Sequence, residues 1–289
     1  MSNKPKETNQ KPAGGFLIAH FKRYILWRIL MSISLESCHA KLQRVDETLT
    51  LLEKELQFIL ANEDFDVQQG IQEEKKRYVF SFQRRKVNLR ISVLIGEVIH
   101  GLRSILDYLV WEFAIKSGSS FDKRNIMFPV CISEEKFKQV LISKKLKGVP
   151  EKYINFIESL QPYKTDDKEN SVIKILHDLD IIDKHRLLIV VSHGLYMGNH
   201  ITVNGNSTAP IEFIVDENDF FFNEITEDEE LYWLNYETVE GNNAWNIDNN
   251  FQIEFVFENI GTHKRKSVQE VLRTIYGNIS DILNIVKSI

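Results

Sequence analysis

The stretch from Leu89 to Lys116 constrains the fold of this chain more than any other. At about 100° per residue, Leu94, Ile95, Val98, Ile99, Leu102, Ile105, Leu106, Leu109 and Phe113 fall in one broad apolar stripe. That pattern predicts a single long helix with this stripe in the core. Glu97, His100, Ser104, Asp107 and Trp111 fall in a narrow arc on the opposite side, with Arg103 at its edge. A merely wet face would carry long flexible charges. This one also carries Val93, Gly96 and Ala114, a composition that suits a half-buried surface packed against a second element.

Ionisable groups on such a surface need partners. Arg103 and Asp107 are i and i+4, so an ion pair along the helix is available. Glu97 and His100 are i and i+3, so the carboxylate can orient the ring. Ser171 to Arg186 is a second helix, capped by Asn170 or Ser171. Its apolar stripe is Val172, Ile175, Leu176, Leu179 and Ile182, and Asp183 and Arg186 continue that stripe. Two charges on a core-facing line require partners, and the Glu97/His100/Arg103/Asp107 face is the expected one. His177, Asp180 and Lys184 lie on a neighbouring face, and His185 points elsewhere or acts at the helix end. A buried charge network shared by the two helices is therefore the central expectation.

The remaining elements follow from periodicity. Ser34 to Asn62 has helical spacing. Phe65 to Arg85 changes to period two around a charged Glu73 to Lys76 turn and predicts a β-hairpin. Short helices are expected at Glu134 to Lys145 and Pro150 to Leu160. Strands are expected at Leu187 to Val191, Ile211 to Val215, Glu230 to Val239 and Phe251 to Glu258, with Asn204-Gly205 as a hairpin turn. Ser267 to Lys287 is an amphipathic helix whose Ser267 and Glu270 predict a capping box. The fold class is α+β, a helical bundle core with an antiparallel β-sheet. Residues 34–289 are expected to form a single domain, with 187–258 mainly β.

The first 33 residues read as a disordered tail followed by a basic amphipathic segment. Met1 to Gly15 is polar and carries Pro5, Pro12, Gly14 and Gly15. Phe16 to Leu35 is apolar but interrupted by Lys22, Arg23 and Arg28, which argues against a spanning helix. Contact of 16–30 with a membrane surface, an ordinary packed helix, and an upstream extension before a natural start at Met31 are three open readings. The last is preferred, because Ser32 onward already has the pattern of a domain start. Two cysteines, Cys38 and Cys131, imply no disulfide framework, so a cytoplasmic location is expected. A formal net charge of −5 argues against nucleic-acid binding through overall charge, but not through a local patch.

Three chemistries fit the charged helices. The network can be structural, fixing helix register. Glu97-x-x-His100 has the spacing of di-iron carboxylate bundles, and His177-x-x-Asp180 reads the same way in reverse. A second Glu-x-x-His is missing, however, and the nearby arginine and lysine repel a cation, so no metal and no cofactor are expected. The third is metal-free acid–base chemistry on RNA, with a histidine moving protons beside arginines. Candidate catalytic residues are Glu97, His100, Arg103, Asp107, Asp183, His185 and Arg186. Lys75, Lys76, Arg77, Arg84, Arg85 and Lys86, interleaved with Tyr78, Phe80 and Phe82, form a candidate RNA-binding hairpin. Its alternative is a solvated β-ribbon with its aromatics facing the core.

GEVIHGLRSILDYLVWEFA, then Phe128-Pro129, then LQPY at Leu160 to Tyr163, then LDIIDKHRLL resemble a bacterial family. Its members carry a GE-x-x-H-x-LRS-x-LDxL helix and a later DKHR. The resemblance covers roughly Leu35 to Val191 and supplies no activity of its own. The helical layout resembles, more loosely, HEPN domains, helical bundles of prokaryotic toxin and antiphage defence systems. Many of those are metal-independent RNases with an Arg-x(4-6)-His motif. Arg186 and His193 have that spacing, but the LLIVV between them reads as a strand. The HEPN resemblance implies RNA cleavage or binding, carried by His100 with Arg103 and by His185 with Arg186. A homodimer is an open further expectation. The alternative is a non-enzymatic interaction protein with a structural charge network.

Overall fold

The computed structural model describes residues 34–62, 67–75, 77–83, 87–117, 125–143, 145–185, 191–197, 200–204, 211–214, 222–225, 229–235, 246–248, 251–260 and 263–288, in several strands by their backbone alone. The readings of 1–33, of Lys76, of Arg84 to Lys86 and of Arg186 fall outside these residues.

The helices are α1 (Glu36–Asn62), α2 (Leu89–Lys116), α3 (Glu134–Ile142), α4 (Glu151–Ser159), α5 (Val172–His185) and α6 (Val268–Val286). The strands are β1 (Val67–Gln72), β2 (Arg77–Gln83), β3 (Val191–Met197), β4 (His200–Asn204), β5 (Ile211–Ile214), β6 (Phe222–Ile225), β7 (Glu229–Asn235), β8 (Asn246–Asp248), β9 (Phe251–Ile260) and β10 (His263–Ser267). The chain is α+β with a helical core. No helix among the described residues is long and apolar enough to cross a membrane.

Helix α2 is the hub. Asn88 starts it, its side chain accepting the Arg90 N–H at 2.9 Å. Helices α1, α5 and α6 all pack on it. Its whole apolar stripe is buried, from Leu94 to Phe113. Each such Leu or Ile contributes about 2 kcal/mol by leaving water, so the stripe, not any ion pair, sets where the helix lies. Two glycines set how closely its neighbours approach. A Cβ on Gly96 would collide with the Asp183 carboxylate of α5, and one on Gly101 would lie 2.5 Å from Val45 Cγ2 of α1. The stacked rings of Phe113 and Tyr153, with centroids 4.2 Å apart, hold α4 against α2. Arg273 ties α6 to α1 with a two-pronged grip on Glu53 at 2.6 Å each and a third bond to Asp46 at 3.0 Å.

The strands form three antiparallel sheets, ordered β1-β2-β7-β6, β10-β9-β3 and β5-β4-β8. The hairpin β1-β2 is not a free ribbon, since β7 pairs along β2 with Val79 opposite Trp233. Buried Phe255 and Phe257 join β9 to the helical core. Of the strand expected at Leu187 to Val191 only Val191 is described, and it opens β3; the expected reach to Val239 beyond Asn235, and Gly205 of the expected hairpin turn, lie outside the described residues. The strands β4, β6, β8 and β10 were not expected: β4 alternates, as Ile201 and Val203 between His200, Thr202 and Asn204, but over only five residues, and β6 and β8 are shorter still. Strand β10, HKRKS, is the plainest case, because its partner β9 supplies the hydrophobic side of the pair. The capping box of α6 does not form. Ser267 precedes the helix, but its side chain makes no capping bond. It is still the last residue of β10, paired with Val256, and its backbone is committed to that ladder.

Candidate functional site

The two charged helices meet, and their side chains sort into two groups with different duties. The first is centred on Arg103, which is only 6% exposed. Its Nη1 donates to Asp107 Oδ1 at 2.7 Å, as the i, i+4 spacing implies. Its Nη2 donates to the Phe128 carbonyl at 2.7 Å. The Phe128 N–H donates to the same Asp107 Oδ1 at 2.8 Å. Arg103 and Asp107 thus hold both polar groups of one peptide residue, with the guanidinium 6.0 Å from the centre of the Phe128 ring. A buried guanidinium needs that many acceptors.

Gln161 repeats the device two residues along. It is fully buried, accepts from the Cys131 N–H at 2.9 Å, and donates to the carbonyls of Pro129 at 3.1 Å and Ile157 at 2.9 Å. The extended connection at 126–131 is therefore pinned from two sides. Its backbone has no ladder of its own, so side chains must satisfy it.

The second group is centred on Asp180 of α5, 4% exposed. Its Oδ1 faces His100 Nδ1 at 3.3 Å, and its Oδ2 accepts from Lys184 Nζ at 2.8 Å. An ionised carboxylate only accepts, so Nδ1 carries the proton in this contact. The His100 side chain is half exposed, and no described residue holds its other ring nitrogen. The arrangement can orient an imidazole for proton transfer. Ser104 is not a nucleophile waiting beside it, because its hydroxyl donates to the His100 carbonyl at 2.7 Å.

His177, also on α5, has a buried Nδ1 with no partner among the described residues. Burial, and then the positive charge of Arg103, hold its pKa below the ordinary value. Cys38 and Cys131 are buried free thiols. Burial first, and the charge of Glu112 second, push the Cys38 thiol up to about 11, which leaves it a poor nucleophile.

Glu97 is exposed and does not orient the His100 ring; Asp180 does. Asp183 is half-buried against the backbone of Gly96. The face of α2 expected to be packed is covered at Gly96 and Ala114 but open at Val93, Glu97 and His100. Ser171 is the cap of α5, its hydroxyl accepting the Lys174 N–H at 3.4 Å. His185 ends α5 with its side chain outside the described set. Among the basic hairpin residues the side chain of Lys75 is described and exposed, while Arg77 is placed by its backbone opposite Asn235. Arg90 is engaged with Glu55 at 3.1 Å. His193 lies in β3 opposite Phe255, so the Arg186 to His193 spacing ends on a strand. Among the described residues no three His, Cys, Asp or Glu side chains converge as metal ligands.

Sequence reasoning missed Phe128 and Gln161 as partners, and took Asp180 as a bystander. For the first two, the only signal was their place inside the strings Phe128-Pro129 and LQPY. Comparison of the chain with protein-family models, with curated proteins and with solved structures finds no match.

Proposed function

We propose that this chain is a non-enzymatic interaction protein whose buried charge network holds its fold. One observation supports this reading above the others. The Arg103 guanidinium, the cation expected beside a catalytic histidine, uses both terminal nitrogens on Asp107 and Phe128. A buried guanidinium engaged in this way is not available to a phosphate in flight.

A second reading has its own support. His100 is half exposed and oriented by a nearly buried carboxylate, with Lys184 on the same carboxylate. That group suits metal-free RNA cleavage or RNA binding of the HEPN kind, in a bacterial cytoplasmic defence or toxin system.

One experiment separates the two. Labelled single-stranded RNA is incubated with the purified chain and with His100→Ala, and both proteins are melted. The first reading expects no cleavage and no retention of RNA by either protein. Cleavage by the parent that disappears in His100→Ala at unchanged melting temperature would establish the second reading and overturn the first.

A further inference from the structure

On the side of α2 that faces Ser37 lies an open cleft of about 470 Å³. Asp107, Tyr108, Trp111 and Glu112 line it from α2, Ser37 from α1 and Ile126 from the pinned connection. The volume is in the range that takes a small ligand or one large side chain.

The two carboxylates of this cleft differ in electrostatic state. Asp107 is neutralised locally by Arg103. Among the described residues no cation pairs with Glu112. Burial alone pushes its carboxyl above the ordinary range, and its negative charge reaches as far as Cys38. A partly desolvated carboxylate attracts a cation more strongly than a solvated one does. The walls beside it are aromatic, and Tyr108 is 42% exposed although it is a large ring. Aromatic walls with one carboxylate at the end favour an organic cation with an apolar stem over a hydrated metal ion. The floor is rigid, because Asp107 and Ile126 both belong to the Arg103 clamp and the segment it holds.

We propose that this cleft binds an ammonium or guanidinium head group on an alkyl stem, with Glu112 as the counter-charge and Tyr108 and Trp111 as walls. The same chemistry is offered by a free alkyl cation and by a Lys or Arg side chain of a partner polypeptide. His100 is not among the lining residues, so the proposal does not depend on whether the chain acts on RNA.

Isothermal titration of the full chain tests it with four probes: butylammonium, butylguanidinium, the neutral isostere butyramide, and N-acetyl-arginine methylamide. Saturable binding of at least one cation is expected, with butyramide roughly tenfold weaker or worse. Glu112→Gln is expected to weaken the cations by a similar factor at unchanged melting temperature. Tighter binding of the capped arginine than of butylguanidinium identifies a polypeptide source, and the reverse order a free small cation. Equal binding of butyramide and the cations, or no saturable binding of any cation, overturns the proposal. If Glu112→Gln melts early, Tyr108→Ala at an exposed position replaces it, and unchanged cation affinity there overturns the proposal equally.

Discussion

Arg103 and His100 stand one turn apart on α2, and each makes its closest contact with a carboxylate. Their surroundings differ. Arg103 is buried and one of its acceptors is the backbone carbonyl of another segment, so removing it orphans a buried group. His100 is half in solvent, and its carboxylate keeps a second cation in Lys184. The difference teaches that a charged motif on a helix is sorted by what it faces. The charges toward the connection at 126–131 hold a chain segment in place, and the one at the rim is left open to solvent.

The contrast can be broken most easily at Arg103. Arg103→Met leaves the buried Phe128 carbonyl without its donor and removes the cation from Asp107, whose side chain is 37% exposed and keeps the Phe128 N–H, at an expected cost of about 2–4 kcal/mol. Urea unfolding reads this directly. A loss below about 1 kcal/mol, the level of an exposed pair, would make the two groups energetically alike. Gln161→Leu tests the second pin and should cost about 2–4 kcal/mol, since the Cys131 N–H and two carbonyls lose their partner in a buried setting.

A smaller effect sharpens the comparison through pH. His177 has a folded-state pKa held below its ordinary 6.5, by burial first and Arg103 second. Between the lowered value and 6.5 the unfolded chain binds more protons than the folded one, so stability rises with pH across that window. The contribution is complete above 6.5 and is lost as pH falls toward the lowered folded value. Melting at about pH 7.5 and about pH 5.5 should show this slope in the parent and a shallower one in His177→Gln. Equal slopes in the two proteins would show that the ring is not held neutral. The smallest effect is expected at His100→Ala, under about 1 kcal/mol, because the pair is half exposed.

Much of this architecture was legible in local pattern. Leu89 to Lys116 announced α2 because an apolar stripe and an asparagine cap agree. The pair Arg103 and Asp107 was legible because i, i+4 contacts lie within one helix. What the pair holds was not legible, because Phe128 contributes backbone atoms and backbone carries no sequence signal. Asp180 was misjudged for a related reason. Asp183 continues the apolar stripe of α5 and lies against Gly96, while Asp180, one turn before it, meets His100 across the helix pair, a contact that no spacing within either helix announces. The strands β4, β6 and β8 were lost because three to five residues are too short for a period to stand out, and β10, HKRKS, because its partner β9 supplies the apolar residues of the pair.

The most direct test of the clamp is native-state hydrogen exchange at the Phe128 amide. This N–H lies in an extended connection with no ladder, and its acceptor is a side chain, Asp107 Oδ1. The account predicts strong protection in the parent chain and its selective loss in Asp107→Ala, with the core amides of α2 still protected. Exchange of the Phe128 amide at the rate of an open chain in the parent protein would contradict the claim that Arg103 and Asp107 serve the fold.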